Sequence, residues 1–250
     1  MVGVFAAAVA FVLALSTCGT LPGTTRPPGG TGGAAVALPH PVGEWLFSGD
    51  LSDSSGNGNT GTSLGGTSFN VDRRGKPNAA LLVSDVGGPN VDLGTSFQFT
   101  DGSSFTVSLW FSAAAYGGVN YPGLLYQIAA NTGEFQYFIT IDGAGSVLQT
   151  QVGPNGIHSF GVATPFSLNT WHNVVMVYDG TLQTVTGYLD GVSFGAGSAS
   201  YAYTLHGATG PLTLGGGNGA PAFTGSLDDV KIYSVALTAG QVATLYSQYP

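Results

Sequence analysis

The chain has 250 residues, of which only 7% are charged while 11% are aromatic, and 41 are glycine. This length suits one all-β domain, and low hydrophobicity with high charge, the signature of disorder, is missing from the composition. The net charge of −8 argues against a nucleic-acid partner, which requires a basic surface. The basic cluster at residues 73–76 is interpreted as a solvated loop.

The first 18 residues predict a secretory signal, because residues 2–15 are almost unbroken Ala, Val, Leu and Phe and too short to span a membrane comfortably. Cys18, the single cysteine, resembles the lipid-modified residue of a bacterial lipobox. Either Cys18 carries a lipid anchor, or it is removed with the signal. Residues 19–38, rich in Gly, Pro and Thr, predict a flexible linker. The domain is predicted over residues 39–250, outside the cell, with membrane contact only through the N-terminal anchor.

Within the domain, short apolar runs alternate with Gly, Asn, Asp and Pro, as expected for strands and turns. The predicted strands cover residues 43–47, 79–83, 90–93, 105–112, 124–129, 135–141, 147–152, 158–163, 172–178, 186–189, 212–214 and 224–233. Hairpin-type turn signals stand at residues 142–143, 179–180 and 190–191, each an Asp-Gly pair.

Helical periodicity is confined to the C-terminal end. Thr238 and Gln241 match a capping box, and Val242, Leu245 and Tyr246 share one face of the helix that would follow. Many short strands and one short helix predict an all-β fold: a two-sheet antiparallel β-sandwich with a C-terminal helix.

Five segments carry more specific motifs: 45–58 (WLF, then DSSGNG), 104–111 (SFTVSLWF), 171–180 (WHNVVMVYDG), 187–191 (GYLDG) and 225–233 (GSLDDVKIY). In this order they resemble the laminin G-like domains of the concanavalin A-like lectin/glucanase superfamily, over about residues 42–246. The resemblance implies a jelly-roll, concanavalin A-like fold. The resemblance does not indicate whether the chain is a lectin, an enzyme or an adhesive module, because all three kinds of protein have this fold.

A calcium site is predicted between the first loop and the last strand. Asp228 alternates in phase with Val230 and Ile232, so a regular strand would point its carboxylate inward, where the charge needs a partner. The loop at residues 50–59 is rich in oxygens and glycines, which suits a hard cation. Family members commonly hold a structural Ca²⁺ between these segments, and the matching residues are Asp53, Asn57, Asn59 and Asp228. Asp53 and Asp228 would give carboxylate oxygens, and residues 57–59 mainly backbone carbonyl oxygens. The alternatives are a plain turn, and an Asp228 that caps loop amides.

Catalytic residues are not apparent. Glycoside hydrolysis needs two carboxyl groups about 5–10 Å apart, whereas the two glutamates, Glu44 and Glu134, are far apart in sequence and on different strands. The closely spaced Glu and Asp residues of the superfamily's glucanases have no counterpart. His158, His172 and His206 lack a nucleophile-elbow motif. The sequence therefore predicts a non-catalytic domain.

Glycan binding is the leading interpretation. Sugar rings stack on aromatic side chains while short polar groups bind their hydroxyls, so lectin loops combine both. The candidate ligand-binding residues are Tyr116, Asn120, Tyr121, Asn155, His158, Tyr201 and Tyr203. The partner would be a glycan or cell-surface polysaccharide. The alternative is an adhesion or display module that contacts another surface protein, and a glycoside hydrolase is less favoured.

Overall fold

Two antiparallel sheets and one short helix make up the domain. The computed structural model describes residues 36–65, 67–84, 90–100, 102–115, 122–128, 135–142, 147–153, 158–162, 166–198, 205, 210–216 and 223–248. They belong to one unit that begins at Val36 rather than at the predicted residue 39. Ala37 is already part of it, because its carbonyl oxygen accepts a hydrogen bond from the Gln241 side chain at 3.1 Å. The predicted signal and Cys18 lie outside the described residues.

The elements follow in chain order. They are β1 (Gly43–Trp45), β2 (Thr62–Ser63), β3 (Ser68–Asn70), β4 (Ala80–Val83), β5 (Val91–Asp92), β6 (Phe105–Ala113), β7 (Gly123–Ile128), β8 (Phe135–Asp142), β9 (Val147–Val152), β10 (His158–Val162), β11 (His172–Asp179), β12 (Thr184–Leu189), β13 (Val192–Ser198), β14 (Leu212–Leu214), β15 (Gly225–Tyr233) and α1 (Ala239–Gln248).

The strands form two sheets. Sheet I has the order β13-β12-β11-β6-β15-β4-β3, with β1 also paired to β15. Sheet II has the order β10-β9-β8-β7-β14-β5-β2. The inner faces of both sheets contribute to one apolar core, which contains residues from most of the strands. The predicted two-sheet antiparallel sandwich is therefore confirmed.

Strand β6, in the middle of sheet I, is buried on both faces along most of its length. Every second residue from Phe105 to Ala113 lies in the core between the sheets. Of the residues that alternate with them and face the other side, Thr106, Ser108 and Trp110 are also buried. There, the Thr106 hydroxyl donates to the carbonyl oxygen of Val235 at 2.8 Å and accepts from the backbone N–H of Leu237 at 3.0 Å. Small polar residues alternate with the apolar ones on this strand, and hydrogen bonds such as those of Thr106 satisfy polar groups that are buried.

Strand β15 contains a β-bulge. Leu227 and Val230 both lie in the core, a spacing of three that regular alternation does not allow. The register with β6 shifts between Asp228 and Lys231, and Asp229 has a φ of 44°. The bulge also marks a change of partner, because β15 pairs with β4 before it and with β1 after it.

The bulge changes the direction of the Asp228 side chain. Asp228 follows the core residue Leu227, so it points to the outer face of sheet I, as does Trp110, its pairing partner on β6. The prediction that Asp228 points inward with Val230 and Ile232 is wrong, because it assumed an unbroken strand.

Helix α1 lies on the outer face of sheet I. Its capping box is formed as predicted: the Thr238 N–H donates to Gln241 Oε1 at 2.9 Å, and the Gln241 N–H donates to Thr238 Oγ1 at 3.3 Å. Val242 and Leu245 pack with residues of β11, β12 and β15 in a second apolar cluster. The ring of Tyr246 stacks on that of Trp110 at 5.6 Å between centroids. In the described part of the chain, no helix is long and apolar enough to cross a membrane.

Every predicted strand is present, with ends that differ by at most two residues. The predicted Asp-Gly hairpin between β12 and β13 is also present: Asp190 and Gly191 both have positive φ, at 50° and 75°, as a type I′ turn requires. Three strands were not predicted. Two of them, β2 and β3, are two or three residues long, too short to show alternation.

The capping box gives a first test. Replacing Thr238 with Ala removes the side-chain acceptor of the Gln241 N–H and should lower the free energy of unfolding by about 1 kcal/mol. Thr244→Ala is the matched control on the same helix, because its hydroxyl bonds only to the carbonyl oxygen of Gly240. Alanine favours helix there, so the control should not lose stability. Urea melts that show equal effects for the two variants would contradict the role of the cap.

Candidate functional site

The carboxylate of Asp53 organises the loop that follows β1. Its Oδ1 accepts hydrogen bonds from the backbone N–H groups of Glu44 at 3.0 Å and Ser55 at 2.9 Å. Its Oδ2 accepts from the backbone N–H of Asn59 at 2.8 Å and from the Asn59 side-chain amide at 3.0 Å. Each carboxylate oxygen therefore has two nitrogen donors.

Further hydrogen bonds attach the same loop to β1. The carbonyl oxygen of Val42 accepts from the side-chain amides of Asn57 and Asn59, both at 3.2 Å. The indole N–H of Trp45, a fully buried side chain, donates to the carbonyl oxygen of Asn59 at 3.0 Å. The two asparagines thus present amide donors, and not oxygen ligands, to the centre of the loop.

These donors stabilise the charged form of Asp53. Partial burial alone would raise its pKa, but the hydrogen bonds from Ser55, Asn59 and Glu44 outweigh burial and hold the pKa of Asp53 below its usual value. A carboxylate saturated with N–H donors needs no metal ion to remain ionised.

Asp228 is bound by an arginine. The guanidinium of Arg73, in the turn after β3, contacts Asp228 Oδ2 at 2.5 Å through Nη1 and Asp229 Oδ2 through Nη2. The Arg73 side chain is only 4% exposed, and its guanidinium carbon lies 4.7 Å from the ring centroid of Trp110. A planar, delocalised cation suits this geometry because it bridges two carboxylates and stacks on an indole.

The ion pairs extend along β15. Lys231 Nζ lies 2.8 Å from Glu44 Oε1 on β1 and 3.9 Å from Asp229 Oδ1. Three carboxylates and two cations therefore form one connected group on the outer face of sheet I. Burial and the neighbouring Asp229 raise the pKa of Asp228 to about 7, although Arg73 acts in the opposite direction.

The four residues predicted to bind calcium do not fit one shared ion. The oxygens of Asp53 are occupied by N–H donors, and the side-chain amides of Asn57 and Asn59 donate to Val42. The backbone carbonyl oxygen of Asn59 already accepts from the Trp45 indole. Asp228 is neutralised by Arg73. The described residues contain no group of three or more His, Cys, Asp and Glu that could hold a metal. The alternative weighed for the loop, a turn built on its own hydrogen bonds, describes this geometry better.

The predicted ligand-binding residues are not placed by the structure. Tyr116, Asn120, Tyr121, Asn155, Tyr201 and Tyr203 lie outside the described residues, and for His158 only the backbone, at the start of β10, is described. Glu134 and His206 are also outside them. His172 is described: its Nδ1 pairs with Asp190 Oδ2 at 2.8 Å, so the histidine fixes the turn between β12 and β13.

Sheet II carries a row of polar and aromatic side chains on the face turned away from the core. Its members are opposite one another on adjacent strands: Thr213 on β14, Tyr126 on β7, Phe138 on β8 and Gln151 on β9. All four are absent from the core cluster, although each has at least one neighbour along its strand that belongs to it. The rings of Tyr126 and Phe138 are 5.4 Å apart between centroids and tilted by 34°.

Two polar residues flank Phe138 on the same face of β8. Gln136 is 3% exposed and Thr140 is 0% exposed. Among the residues that the structure describes, neither Gln136 Oε1 nor Thr140 Oγ1 has a hydrogen-bond partner. Buried oxygens of this kind are costly, by about 1–3 kcal/mol each, and are a signal for a missing polar partner. The sequence analysis missed this row, although Gln, Phe and Thr alternate on β8, because it assigned binding to loops.

Arg73 is the other functional side chain that the sequence analysis missed, and its interpretation as part of a solvated loop is wrong. Removing it should destabilise the fold by about 3–5 kcal/mol, because two buried carboxylates would lose their cation. Arg73→Met tests this in urea melts, with Arg74→Met, at an exposed position of the same turn, as control. The control should change stability by no more than about 0.5 kcal/mol.

Arg73→Lys completes that series, because a single ammonium replaces neither the bidentate bridge nor the stacking on Trp110. Its free energy of unfolding should lie between that of the wild type and that of Arg73→Met. A loss in Arg73→Met no larger than that in Arg74→Met would show that the buried ion pair is not stabilising.

Asp53→Asn tests the loop. At pH 7 the variant should lose about 1–3 kcal/mol, because one oxygen acceptor becomes a donor facing N–H groups. A lowered pKa adds stability that is present above the unfolded value of 3.8 and lost as the pH falls through the folded value. The difference in the free energy of unfolding between wild type and variant should therefore become smaller as the pH falls below about 4.

The control for Asp53→Asn is Asp50→Asn in the same loop, where Oδ1 accepts from Ser52 alone. It should have a much smaller effect on stability. Melting temperatures measured in calcium and in chelator should coincide for the wild type. A higher melting temperature in calcium that is lost in Asp53→Asn would restore the calcium prediction.

The fold is shared by solved structures of low sequence identity. A domain of an extracellular arabinanase from Geobacillus stearothermophilus, solved with arabinotriose, is 21% identical, with a TM-score of 0.62 over 82% of this chain and 98% of the other. The ligand-binding domain of botulinum neurotoxin serotype D, solved with N-acetylneuraminic acid, is 14% identical, with a TM-score of 0.65 over 84% of this chain. The chain spans about half of that domain, 51%.

A sialidase from Trypanosoma rangeli, 17% identical, matches over 86% of this chain and 34% of its own, with a TM-score of 0.63. No curated protein matches the sequence. The family whose description is "Concanavalin A-like lectin/glucanases superfamily", of the laminin G type, matches residues 85–243, which is more than half of the chain. With its two antiparallel sheets in a jelly roll, the chain belongs to the concanavalin A-like lectin/glucanase superfamily.

Proposed function

We propose that the chain is a secreted or surface-anchored, non-catalytic module that binds a glycan on the outer face of sheet II. The observation that carries this proposal is the pair of aromatic rings, Tyr126 and Phe138, flanked by Gln136 and Thr140, whose side-chain oxygens have no hydrogen-bond partner among the described residues. Location outside the cell is supported by the signal-like residues 1–18 alone.

The chemistry of this row matches that of a sugar. Carbohydrate C–H faces pack on aromatic rings, and hydroxyl groups donate hydrogen bonds to amide and hydroxyl oxygens. Gln136 and Thr140 lie two residues on either side of Phe138, so a sugar ring stacked on Phe138 would meet an acceptor at each edge. Because Phe138 is only 9% exposed, the sugar would have to displace the groups that bury this row. A bound hydroxyl would supply the donor that each oxygen lacks in the described structure.

Two neighbours support this proposal by their ligands, which are an arabinotriose in the arabinanase domain and N-acetylneuraminic acid in the toxin domain. The non-catalytic role is supported by the carboxylates. In the described part of the chain, Asp228 and Asp229 are both bound by Arg73, and Glu44 is bound by Lys231. A hydrolase needs one carboxyl group as acid and another to act on the sugar, both able to reach the substrate.

The experiment begins with an array of oligosaccharides to find a ligand, followed by calorimetry with Thr140→Val. Valine fills the space of threonine without the hydroxyl. The variant should weaken glycan binding about fivefold or more, as expected for one lost hydrogen bond. It should also gain stability, by about 1 kcal/mol, because an unpaired buried oxygen is removed.

Thr150→Val is the matched control. Thr150 on β9 is equally buried and its hydroxyl is also without a partner in the described structure, but it lies between Leu148 and Val152 on the core side. It should gain stability without any change in glycan affinity. Equal affinities for the two variants would contradict the proposal, and an array without any bound glycan would favour a protein partner.

A further inference from the structure

Lysine and arginine are absent from the strands of sheet II. The chain has five such residues, which are Arg26, Arg73, Arg74, Lys76 and Lys231. Residues 77–230 therefore contain none, and they include every strand of sheet II except β2, which is Thr-Ser. The four basic residues that the structure describes lie in the turn after β3 or on β15, both in sheet I. A ligand on the outer face of sheet II thus meets no permanent cation from these strands or from the loops between residues 77 and 230.

A carboxylate lies on the same face of sheet II. Asp92 on β5 is opposite Thr213 of the row, and both face outward because their neighbours along each strand belong to the core. Asp92 Oδ1 accepts from the backbone N–H of Gly94 at 2.6 Å, and no cation among the described residues pairs with it. Adjacent strands are about 4.8 Å apart, so Asp92 lies three strand spacings, about 14 Å, from Phe138. An anionic ligand on the row would therefore be repelled.

The hydrogen-bonding groups of the row also favour hydroxyl groups over carboxylates. The two side-chain atoms beside Phe138 without a partner among the described residues are oxygens, Gln136 Oε1 and Thr140 Oγ1. The Thr140 hydroxyl can donate or accept, whereas Gln136 Oε1 can only accept. On the next strand, the Gln151 amide already donates to the carbonyl oxygen of Gly153 at 2.9 Å. A sugar hydroxyl can donate to both oxygens, but a carboxylate cannot donate to either.

The ring of Tyr126 adds an uncharged surface beside Thr140. It folds back along its own strand over Gly123, because a Cβ atom on Gly123 would overlap the ring. Gly123 is the residue opposite Thr140 on the neighbouring strand, so the ring reaches the level of the Thr140 hydroxyl. Burial raises the pKa of the Tyr126 phenol, which therefore stays protonated at neutral pH. This side of Thr140 is aromatic and neutral.

We infer that the row around Phe138 binds a neutral glycan, rich in hydroxyl groups, and discriminates against acidic glycans such as those that contain uronic or sialic acids. This inference rests on the proposed function and specifies the ligand class of the same site. Phe138 is only 9% exposed, so a sugar bound against it loses much of its hydration. A carboxylate desolvated without a cation is far more costly than a hydroxyl that finds an acceptor.

The first test compares paired probes on the full chain at pH 7. The array carries each neutral oligosaccharide beside the acid formed by oxidising its primary hydroxyl groups, for example a galactose trisaccharide beside a galacturonate trisaccharide. Neutral members should bind, and in calorimetry each acidic partner should bind at least about tenfold more weakly, because its carboxylate has no cation at the row. An acidic partner that binds as tightly as the neutral probe would overturn this inference and leave the proposed function in place. An array without any bound member would contradict the proposed function itself.

The second test adds a cation to the row. Gln149 on β9 lies opposite Thr140 and faces outward, because its neighbour Leu148 belongs to the core. Gln149→Lys should raise the affinity for the acidic member of the best-bound pair by about fivefold or more, through one charge-assisted hydrogen bond. Leu182→Lys is the matched control, because it adds the same charge at an exposed position in the turn between β11 and β12 of sheet I. It should leave both affinities unchanged. Equal affinities of the two variants for the acidic probe would overturn the inference.

Discussion

The fold of sheet I depends on the guanidinium of Arg73. Strand β15 changes its partner from β4 to β1 at Asp228-Asp229, and the bulge there places two adjacent carboxylates at a buried position on the outer face. Such a pair would repel itself and lose its hydration without a cation. Arg73 supplies the charge and, through its contact with Trp110, connects the turn after β3 with the strand beneath helix α1. One side chain thus joins elements from both ends of the domain.

Asp53 and Asp228 show two ways in which groups of the protein compensate a carboxylate. Asp53 is surrounded by backbone and side-chain N–H groups, which stabilise its charged form and lower its pKa. Asp228 has a cation on one oxygen, but burial and the charge of Asp229 raise its pKa to about 7. The surroundings of the two carboxyl groups therefore shift their pKa values in opposite directions.

The order and type of the elements could be predicted from the sequence, because strands such as β6 and turns such as Asp190-Gly191 carry their own local signals. The direction of Asp228 could not be, since a bulge shifts the alternation by one residue and leaves no mark in a short apolar run. For the same reason, the calcium prediction combined two carboxylates that have separate partners.

Arg73 was missed because a basic residue in a turn is usually solvated, and only the fold brings it beside two buried aspartates. The row on sheet II requires the register of four strands, which a sequence does not show.

The position of β15 also determines when the domain can fold. This strand comes almost last in the chain, yet it lies in the middle of sheet I and pairs with β1, which comes first. During synthesis, β6 and β4 lack their shared neighbour until residues 225–233 have left the ribosome. Contacts between such distant segments close slowly, so the chain remains open and exposes strand edges for most of its translation. We therefore expect sheet I to be completed only after residues 225–233 have been synthesised.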